Sequence, residues 1–265
     1  MIKLVIADMD GTLLNSRHEL SDRLFPTIKK LKEKGVRFAV ASGRQYYNLY
    51  SIFEEIKDDI YFLCENGTIA FYRDEKIYIN EIEYSTLEKY VKEIRSIDGA
   101  YPILCGEKAA YIEDSDEEFL DNTKLYYKKY EKVDDILEAA KQDKICKIAV
   151  YDRIDAESNS YERLKQYNDR NMIVLSGKAW VDIMNLNANK GQAIQTLQKQ
   201  FGITREESMA FGDYLNDYEM MQACHYSYAM ANAHERLKVI CNYEAKSNDE
   251  DGVVEKLIEV FNLEL

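Results

Sequence analysis

The chain alternates short apolar runs with amphipathic helical segments, and the pattern changes twice along its length. Apolar runs rich in β-branched and aromatic residues predict buried strands at positions 4–7, 36–41, 60–64, 208–211 and 226–230. Apolar residues three and four positions apart predict helices over 22–34 and 46–56, after 189–191 as far as Phe201, and over 252–261. Strands separated by helices predict an α/β fold with a parallel sheet and right-handed crossovers.

The stretch 83–186 has a different pattern, in which tyrosine and lysine alternate as on a sheet with one buried face. Its predicted helices span 85–97, 133–141 and 158–168, and its predicted strands span 101–105, 109–113, 125–130, 145–151, 172–175 and 180–184. We therefore expect one domain from 1–82 and 187–265, with 83–186 as an inserted domain whose two ends lie close together. Before it, Asn66-Gly67 predicts a hairpin.

Charge and composition exclude several classes of partner. The net charge of −13 argues against nucleic acid, because phosphate backbones bind basic surfaces. No apolar run approaches the roughly 18 residues of a membrane helix, and we expect neither a signal peptide nor a membrane partner. Five widely spaced cysteines without a CxxC pair predict reduced thiols in a cytoplasmic protein.

Two aspartates, Asp8 and Asp10, follow the first strand, where an open α/β sheet binds its ligands. Two carboxylates this close resist ionising together, so they require a cation between them or a shared proton. Taken alone, the segment fits an ordinary polar Asp-Gly turn equally well.

Three further segments place polar groups next to predicted strands or helices. Ser42-Gly43 follows the second strand and offers a hydroxyl and a backbone N–H to an anion. Lys190 opens a helix, where a positive charge is electrostatically disfavoured, and Asp213 follows another strand. Each has an ordinary interpretation as a turn, a surface lysine or a helix cap. Their joint occurrence favours one common site, and no P-loop, GxGxxG or GxSxG motif competes with it.

Together, the segments 8–14, 42–44, 189–191 and 212–217 resemble the four motifs of the haloacid-dehalogenase-like hydrolases. The insertion between the second and third motifs is similar to the cap of the Cof-type phosphatases, as are the segments 229–233 and 247–253. The resemblance implies a Rossmann-like parallel-sheet core with an inserted α/β cap. Tyr214 departs from it, because many relatives carry glycine there, and this predicts a narrower pocket or an altered loop.

This resemblance also implies phosphoryl transfer through an aspartyl phosphate, with Asp8 as the nucleophile and Asp10 as the general acid and base. It implies Mg²⁺ held by the Asp8 and Asp213 side chains and the Asp10 carbonyl, with Asp217 orienting metal-bound water. The implied phosphate-binding residues are Met9, Ser42, Gly43, Lys190 and Asn216, and the candidate substrate contacts are Arg44 and Asp182.

The activity that the resemblance implies is hydrolysis of small phosphomonoesters, with sugar phosphates as the first substrate class. A cofactor phosphate, such as pyridoxal phosphate or a flavin precursor, is the second class. A sugar-phosphate mutase of the same superfamily would share all four motifs. A non-enzymatic receiver-type phosphoacceptor also clusters aspartates with a serine or threonine and a lysine, but chain length and Asp10 disfavour it.

Overall fold

The computed structural model describes residues 1–264, which divide into two compact units. In chain order the strands are β1 (Leu4–Asp8), β2 (Arg37–Ala41), β3 (Ile60–Cys64), β4 (Ile69–Tyr72), β5 (Glu75–Ile79), β6 (Ala100–Gly106), β7 (Ala110–Ile112), β8 (Tyr130–Lys132), β9 (Ile145–Asp152), β10 (Asn171–Gly177), β11 (Trp180–Asn185), β12 (Ser208–Gly212), β13 (Tyr226–Met230) and β14 (Tyr243–Ala245). The helices are α1 (Leu24–Glu33), α2 (Tyr46–Ile52), α3 (Tyr84–Arg95), α4 (Glu117–Tyr126), α5 (Ile136–Ala140), α6 (Glu162–Leu164), α7 (Lys190–Phe201), α8 (Tyr218–Ala223), α9 (Glu235–Lys238) and α10 (Gly252–Phe261).

The first unit is built on an eight-stranded sheet in the order β14-β13-β12-β1-β2-β3-β4-β5. Strand β1 is buried along its whole length and pairs in parallel with β2 and β12, as a near-continuous apolar strand does in a sheet covered on both faces. In these pairs Asp8 lies opposite Ala41 and Ala7 lies opposite Phe211. The carboxyl ends of the three strands are therefore side by side, which brings the residues after them to one edge.

Helix α7 begins and ends where its sequence requires. The Asn189 side chain caps it by accepting a hydrogen bond from the Gln192 N–H at 2.8 Å. Buried apolar residues recur along one face, and Gly202, with φ of 62°, ends the helix in the left-handed conformation. This cap places Lys190 in the first turn of α7.

A second unit comprises Tyr47–Leu49 and Ile79–Ala188 and contains a six-stranded sheet in the order β10-β11-β9-β6-β7-β8. Helices α3 and α5 pack on one face, and Phe119 of α4 packs on the other with Trp180. The Trp180 ring lies 5.2 Å, centroid to centroid, from the rings of both Tyr126 and Tyr151.

The two ends of the inserted segment are hydrogen-bonded to each other. Asn80 donates to the Asn187 side chain at 3.1 Å and accepts from the Asn185 amide at 2.6 Å. The predicted α/β class, with a parallel-sheet core and an inserted α/β unit, is confirmed. The domain limits of 83–186 stay a prediction.

One predicted strand is wrong. The alternation of tyrosine and lysine over 125–130 predicted a strand, but α4 extends to Tyr126 and β8 begins only at Tyr130. Asp116 caps α4 by accepting from the Phe119 N–H at 3.0 Å, and Phe119 and Thr123 bury one face of that helix. The cap and the helical spacing therefore outweigh the local alternation.

Other differences concern the ends and connections of elements. The helix predicted over 46–56 ends at Ile52, and α8, α9 and β14 were not predicted. In the part of the chain that is described, residues 1–264, no helix has the length and apolarity required to cross a membrane.

Candidate active site

At the carboxyl end of β1, Asp8 meets a buried lysine. The Nζ atom of Lys190 lies 2.5 Å from Oδ1 of Asp8 and 2.6 Å from Oδ1 of Asp217, and all three side chains are buried. The two carboxylates compensate for the cost of a positive charge in the first turn of a helix. Burial lowers the pKa of Lys190, but the two carboxylates outweigh burial and raise it, so the ammonium stays protonated.

Asp213 reaches the same place from the end of β12. The Thr12 hydroxyl donates to its Oδ1 at 3.0 Å. A Cβ atom on Gly11, whose φ is 82°, would lie 2.3 Å from Oδ2 of Asp213, so any other residue would be strained there and would displace that carboxylate. Gly11 and Thr12 therefore shape the site, although the sequence alone gave neither a role.

Asp217 holds this loop with its second oxygen. Its Oδ2 accepts from the backbone N–H groups of Asp213 at 3.0 Å and Tyr214 at 3.2 Å, while Oδ1 accepts from Lys190. With both oxygens engaged, Asp217 orients its neighbours. The expectation that Asp217 orients metal-bound water stays a prediction.

Carboxylate oxygens of Asp8, Asp213 and Asp217 all lie within 4.8 Å of one another. With all three carboxylates ionised and one ammonium beside them, the largely buried cluster would carry two excess negative charges. Burial and the neighbouring Asp217 raise the pKa of Asp213 to about 6, and burial raises the pKa of Asp8 well above its usual range. A divalent cation bound by oxygen ligands fits this donor set, because it would neutralise the excess and restore the ionised carboxylates.

Asp10 occupies a different environment from Asp8. Its side chain is about half exposed, at 49%, and forms a bidentate pair with Arg44, whose guanidinium nitrogens Nε and Nη2 lie 2.9 and 2.6 Å from the two oxygens. The Asp10 carboxylate is not part of the acidic cluster. Two aspartates two residues apart thus have separate surroundings, as divided chemical roles require.

Three of the predicted phosphate-binding residues are adjacent to these groups in the chain or in the sheet: Met9 follows Asp8, Ser42 follows Ala41, which pairs with Asp8, and Asn216 precedes Asp217. Met9 is fully buried, and its carbonyl accepts from the Leu13 and Leu14 N–H groups. Ser42 is buried, and its hydroxyl accepts from the Arg44 N–H at 3.2 Å. Asn216, by contrast, is exposed in the loop after β12.

Sequence reasoning missed the loop after β3. Glu65, Asn66 and Gly67 all have positive φ, at 50°, 57° and 85°. The Asn66 N–H donates to the Ser42 carbonyl at 2.9 Å, and its side-chain Oδ1 lies 3.4 Å from Nδ2 of Asn216. The sequence signal was Asn-Gly, which we interpreted only as a hairpin. Its place after a parallel strand could have identified it as part of the site.

Comparison with known proteins identifies the family. Residues 5–257 match the family model of the haloacid dehalogenase-like hydrolases. The chain belongs to this family. The hydrolase is 29% identical to the 5-amino-6-(5-phospho-D-ribitylamino)uracil phosphatase YbjI of Escherichia coli, over 99% of this chain and 97% of that one. It is 26% identical to phosphatase YwpJ of Bacillus subtilis, over 95% and 97% of the two chains.

Among solved structures, that of SMU.1108c from Streptococcus mutans UA159 matches the hydrolase with a TM-score of 0.84 and 29% identity. The match covers 99% of this chain and 100% of that one. These relationships make the hydrolase a phosphatase of the haloacid-dehalogenase-like family and exclude the receiver-type phosphoacceptor.

Tyr214 and Asp182, which were singled out in the sequence, contact residues outside the acidic cluster. Tyr214 is exposed, and its ring contacts the His234 ring edge-on at 5.7 Å. In the second unit, the buried Asp182 carboxylate lies 3.5 Å from Nζ of the buried Lys147. A substrate contact by Asp182 stays a prediction.

Proposed function

We propose that the hydrolase is a Mg²⁺-dependent phosphomonoesterase that works through an aspartyl phosphate on Asp8. The observation that carries this proposal is the buried cluster of Asp8, Asp213 and Asp217 around the Lys190 ammonium. A carboxylate that attacks a phosphate meets strong repulsion, so positive charge must be in place beforehand. Lys190 supplies part of that charge.

Asp8, Asp213 and the Asp10 carbonyl would hold the Mg²⁺ ion. When bound, this ion supplies the remaining positive charge that phosphoryl transfer requires. Asp217 fixes the backbone of the Asp213 loop and the Lys190 ammonium, so it keeps both charges in place.

In the first step an oxygen of Asp8 forms a bond to phosphorus and the ester P–O bond breaks. Asp10 gives a proton to the departing alkoxide. In the second step Asp10 takes a proton from water, whose oxygen attacks phosphorus and releases inorganic phosphate and the Asp8 carboxylate. Because Asp10 is half exposed, its carboxyl can exchange protons with the substrate and with water. The ion pair between Asp10 and Arg44 must break before Asp10 can act as the acid.

We expect the substrate to be a small sugar phosphate. A specific second candidate is a ribityl phosphate that carries a heterocycle, because the E. coli relative is named for such a compound. Both classes place the phosphate on a polyhydroxylated chain. The predicted role of the inserted unit is to select between them and to exclude water.

The decisive variant is Asp8→Asn. It should lose all phosphate release from p-nitrophenyl phosphate while keeping the wild-type circular dichroism spectrum, because an amide oxygen is too weak a nucleophile to form the acyl phosphate. Asp121→Asn, at an exposed aspartate of the second unit, is the matched control and should keep wild-type turnover. Wild-type rates for Asp8→Asn would overturn the assignment of the nucleophile.

Metal dependence and substrate are tested on the wild-type chain. Removal of Mg²⁺ with a chelator should abolish phosphate release, and added Mg²⁺ should restore it and raise the melting temperature. A screen of sugar phosphates, pyridoxal phosphate and ribityl phosphates then ranks substrates by kcat/KM. Formation of an isomeric sugar phosphate without free phosphate would instead identify a mutase.

A further inference from the structure

The loop Glu65–Gly67 has an unusual backbone for residues that carry side chains. Three consecutive residues have left-handed φ, although only glycine adopts this region without cost. The buried Thr68 holds the loop by donating its hydroxyl to the Glu65 carbonyl at 3.0 Å. Such a conformation persists only where surrounding contacts fix it, and it is concentrated at functional sites.

Its contacts reach two other segments of the site, residues 42–44 and Asn189. The Glu65 N–H donates to the Arg44 carbonyl at 3.1 Å, and the Asn66 N–H donates to the Ser42 carbonyl. A Cβ atom on Gly67 would lie 2.6 Å from the Asn189 carbonyl oxygen, so the loop packs tightly on the residue that caps α7. The left-handed backbone is what allows both approaches at once.

The Asn66 side chain lies between two predicted phosphate ligands. A Cβ atom on Gly43 would lie 3.1 Å from Oδ1 of Asn66, so the carboxamide rests against the Gly43 backbone. The same Oδ1 is 3.4 Å from the amide nitrogen of Asn216, which belongs to a loop that follows a different strand. The Asn66 carboxamide therefore lies against both the Gly43 backbone and the Asn216 side chain.

We propose that Asn66 is a positioning residue that fixes the spacing of the Gly43 N–H and the Asn216 amide around the transferring phosphoryl group. This inference rests on the proposed function, because it takes Gly43 and Asn216 as phosphate ligands. Asparagine suits the position since it tolerates the left-handed region and supplies an acceptor for the Asn216 amide.

Asn66→Gly tests the proposal with the backbone preserved, because glycine adopts the same φ and removes only the carboxamide. Calorimetry with inorganic phosphate in Mg²⁺ buffer should show affinity about tenfold weaker, the loss expected for one hydrogen bond. Steady-state assays with p-nitrophenyl phosphate should show both a higher KM and a lower kcat. Asn262→Gly is the matched control, since exposed Asn262 has φ of 48° at the end of α10, and it should bind phosphate normally.

A double-mutant cycle tests the route through Asn216. If Asn66 acts by orienting that amide, Asn66→Gly should weaken phosphate binding little further in an Asn216→Ala background. If the fold-losses of phosphate affinity in the two single variants multiply in the double variant, the two residues act independently, and the positioning role is overturned. So would wild-type phosphate affinity in Asn66→Gly.

Asn66→Asp serves if the glycine variant does not fold, because aspartate also tolerates left-handed φ. Its carboxylate beside the bound phosphate should weaken affinity more than the glycine does, and unchanged affinity would contradict the proposed position. Phosphate affinity is measured without turnover, so this outcome is separate from the proposed function. A wild-type chain that binds phosphate but cleaves no monoester would overturn the function and still decide the role of Asn66. A chain that binds no phosphate would overturn both.

Discussion

Lys190 is stable in a position that local rules disfavour. Its side chain is fully buried in the first turn of a helix, and two carboxylates within 2.6 Å hold it there. The interaction is reciprocal, because without the ammonium Asp8 and Asp217 would be buried and unpaired. Charge balance in this cluster is therefore a condition for folding, and under the proposed function it is also a condition for catalysis.

We predict that Lys190→Met destabilises the protein by about 3–5 kcal/mol at neutral pH and abolishes turnover, because it leaves buried carboxylates without their partner. Part of the loss should disappear near pH 5, where the carboxylates of the variant take up protons and become neutral. Urea denaturation at the two pH values measures this. Lys199→Met, on the exposed end of the same helix, should change stability by less than about 0.5 kcal/mol.

At this scale the sequence predicted which charged residues share a site, but not the contacts that support them. Asp8, Lys190 and Asp213 were predicted to share a site, because the two aspartates lie at strand ends that a parallel sheet brings together and the lysine opens a helix where its charge needs a partner. Asn66 was not predicted to belong to this site, because its proposed contribution depends on a left-handed backbone and on contacts with residues far away in sequence. The burial of Asp182 against Lys147 depends likewise on the pairing of β9 with β11, which no local pattern contains.

Among the elements, helix α7 meets the start of α8 at unusually close range. A Cβ atom on Gly191 would lie 2.5 Å from the Glu219 carbonyl oxygen. This glycine stands in the first turn of α7, next to Lys190. Its role is to let the backbones of the two helices approach closely. That approach fixes the position of the neighbouring Lys190 backbone, from which the lysine side chain extends.

Gly191→Ala should lower stability by about 1–3 kcal/mol, although alanine has the better helix propensity, because the methyl group meets backbone that cannot move aside. Turnover should also fall, as α7 shifts with Lys190. Thermal denaturation and phosphate release measure the two effects. Gly202→Ala is the comparison, because a methyl group at position 202 meets open space. It should lower the free energy of unfolding only by the cost of a left-handed φ, about 1–2 kcal/mol, and leave turnover unchanged.

Elements with strong helical spacing were predictable, whereas short elements and end positions were not. Helix α10 spans Gly252–Phe261, as its apolar spacing predicted. Strand β14 has only three residues and owes its conformation to pairing with β13, so its own sequence gives little signal. Helix α4 was missed because the alternation at its end has the period of a strand.

At the scale of the whole molecule, each unit has its own means of stabilisation. In the second unit the buried Asp152 accepts hydrogen bonds from the N–H groups of Ile154 at 3.0 Å and Ser160 at 3.0 Å, and from the Asn159 amide at 3.2 Å. Burial alone would raise the pKa of Asp152, but the hydrogen bonds from Ser160 and Asn159 outweigh it and lower the pKa.

A lowered carboxylate pKa stabilises the folded state above the pKa of the unfolded chain, and this contribution is lost as pH falls through the folded-state value. Asp152→Asn should therefore cost about 1–2 kcal/mol at pH 7. The difference from wild type should narrow below about pH 4, where the wild-type carboxylate is protonated too. Urea denaturation followed by circular dichroism across this range measures both effects. A constant difference at every pH would contradict the assignment to charge.

Trp180 gives the molecule a built-in optical reporter. It is the single tryptophan of the chain, and it is buried in the second unit against the rings of Tyr126 and Tyr151. Selective excitation of tryptophan fluorescence therefore follows the inserted unit alone, whereas circular dichroism follows both units. Coincident denaturation curves from the two signals would indicate one cooperative transition, and separated curves would resolve the unfolding of the inserted unit without any label.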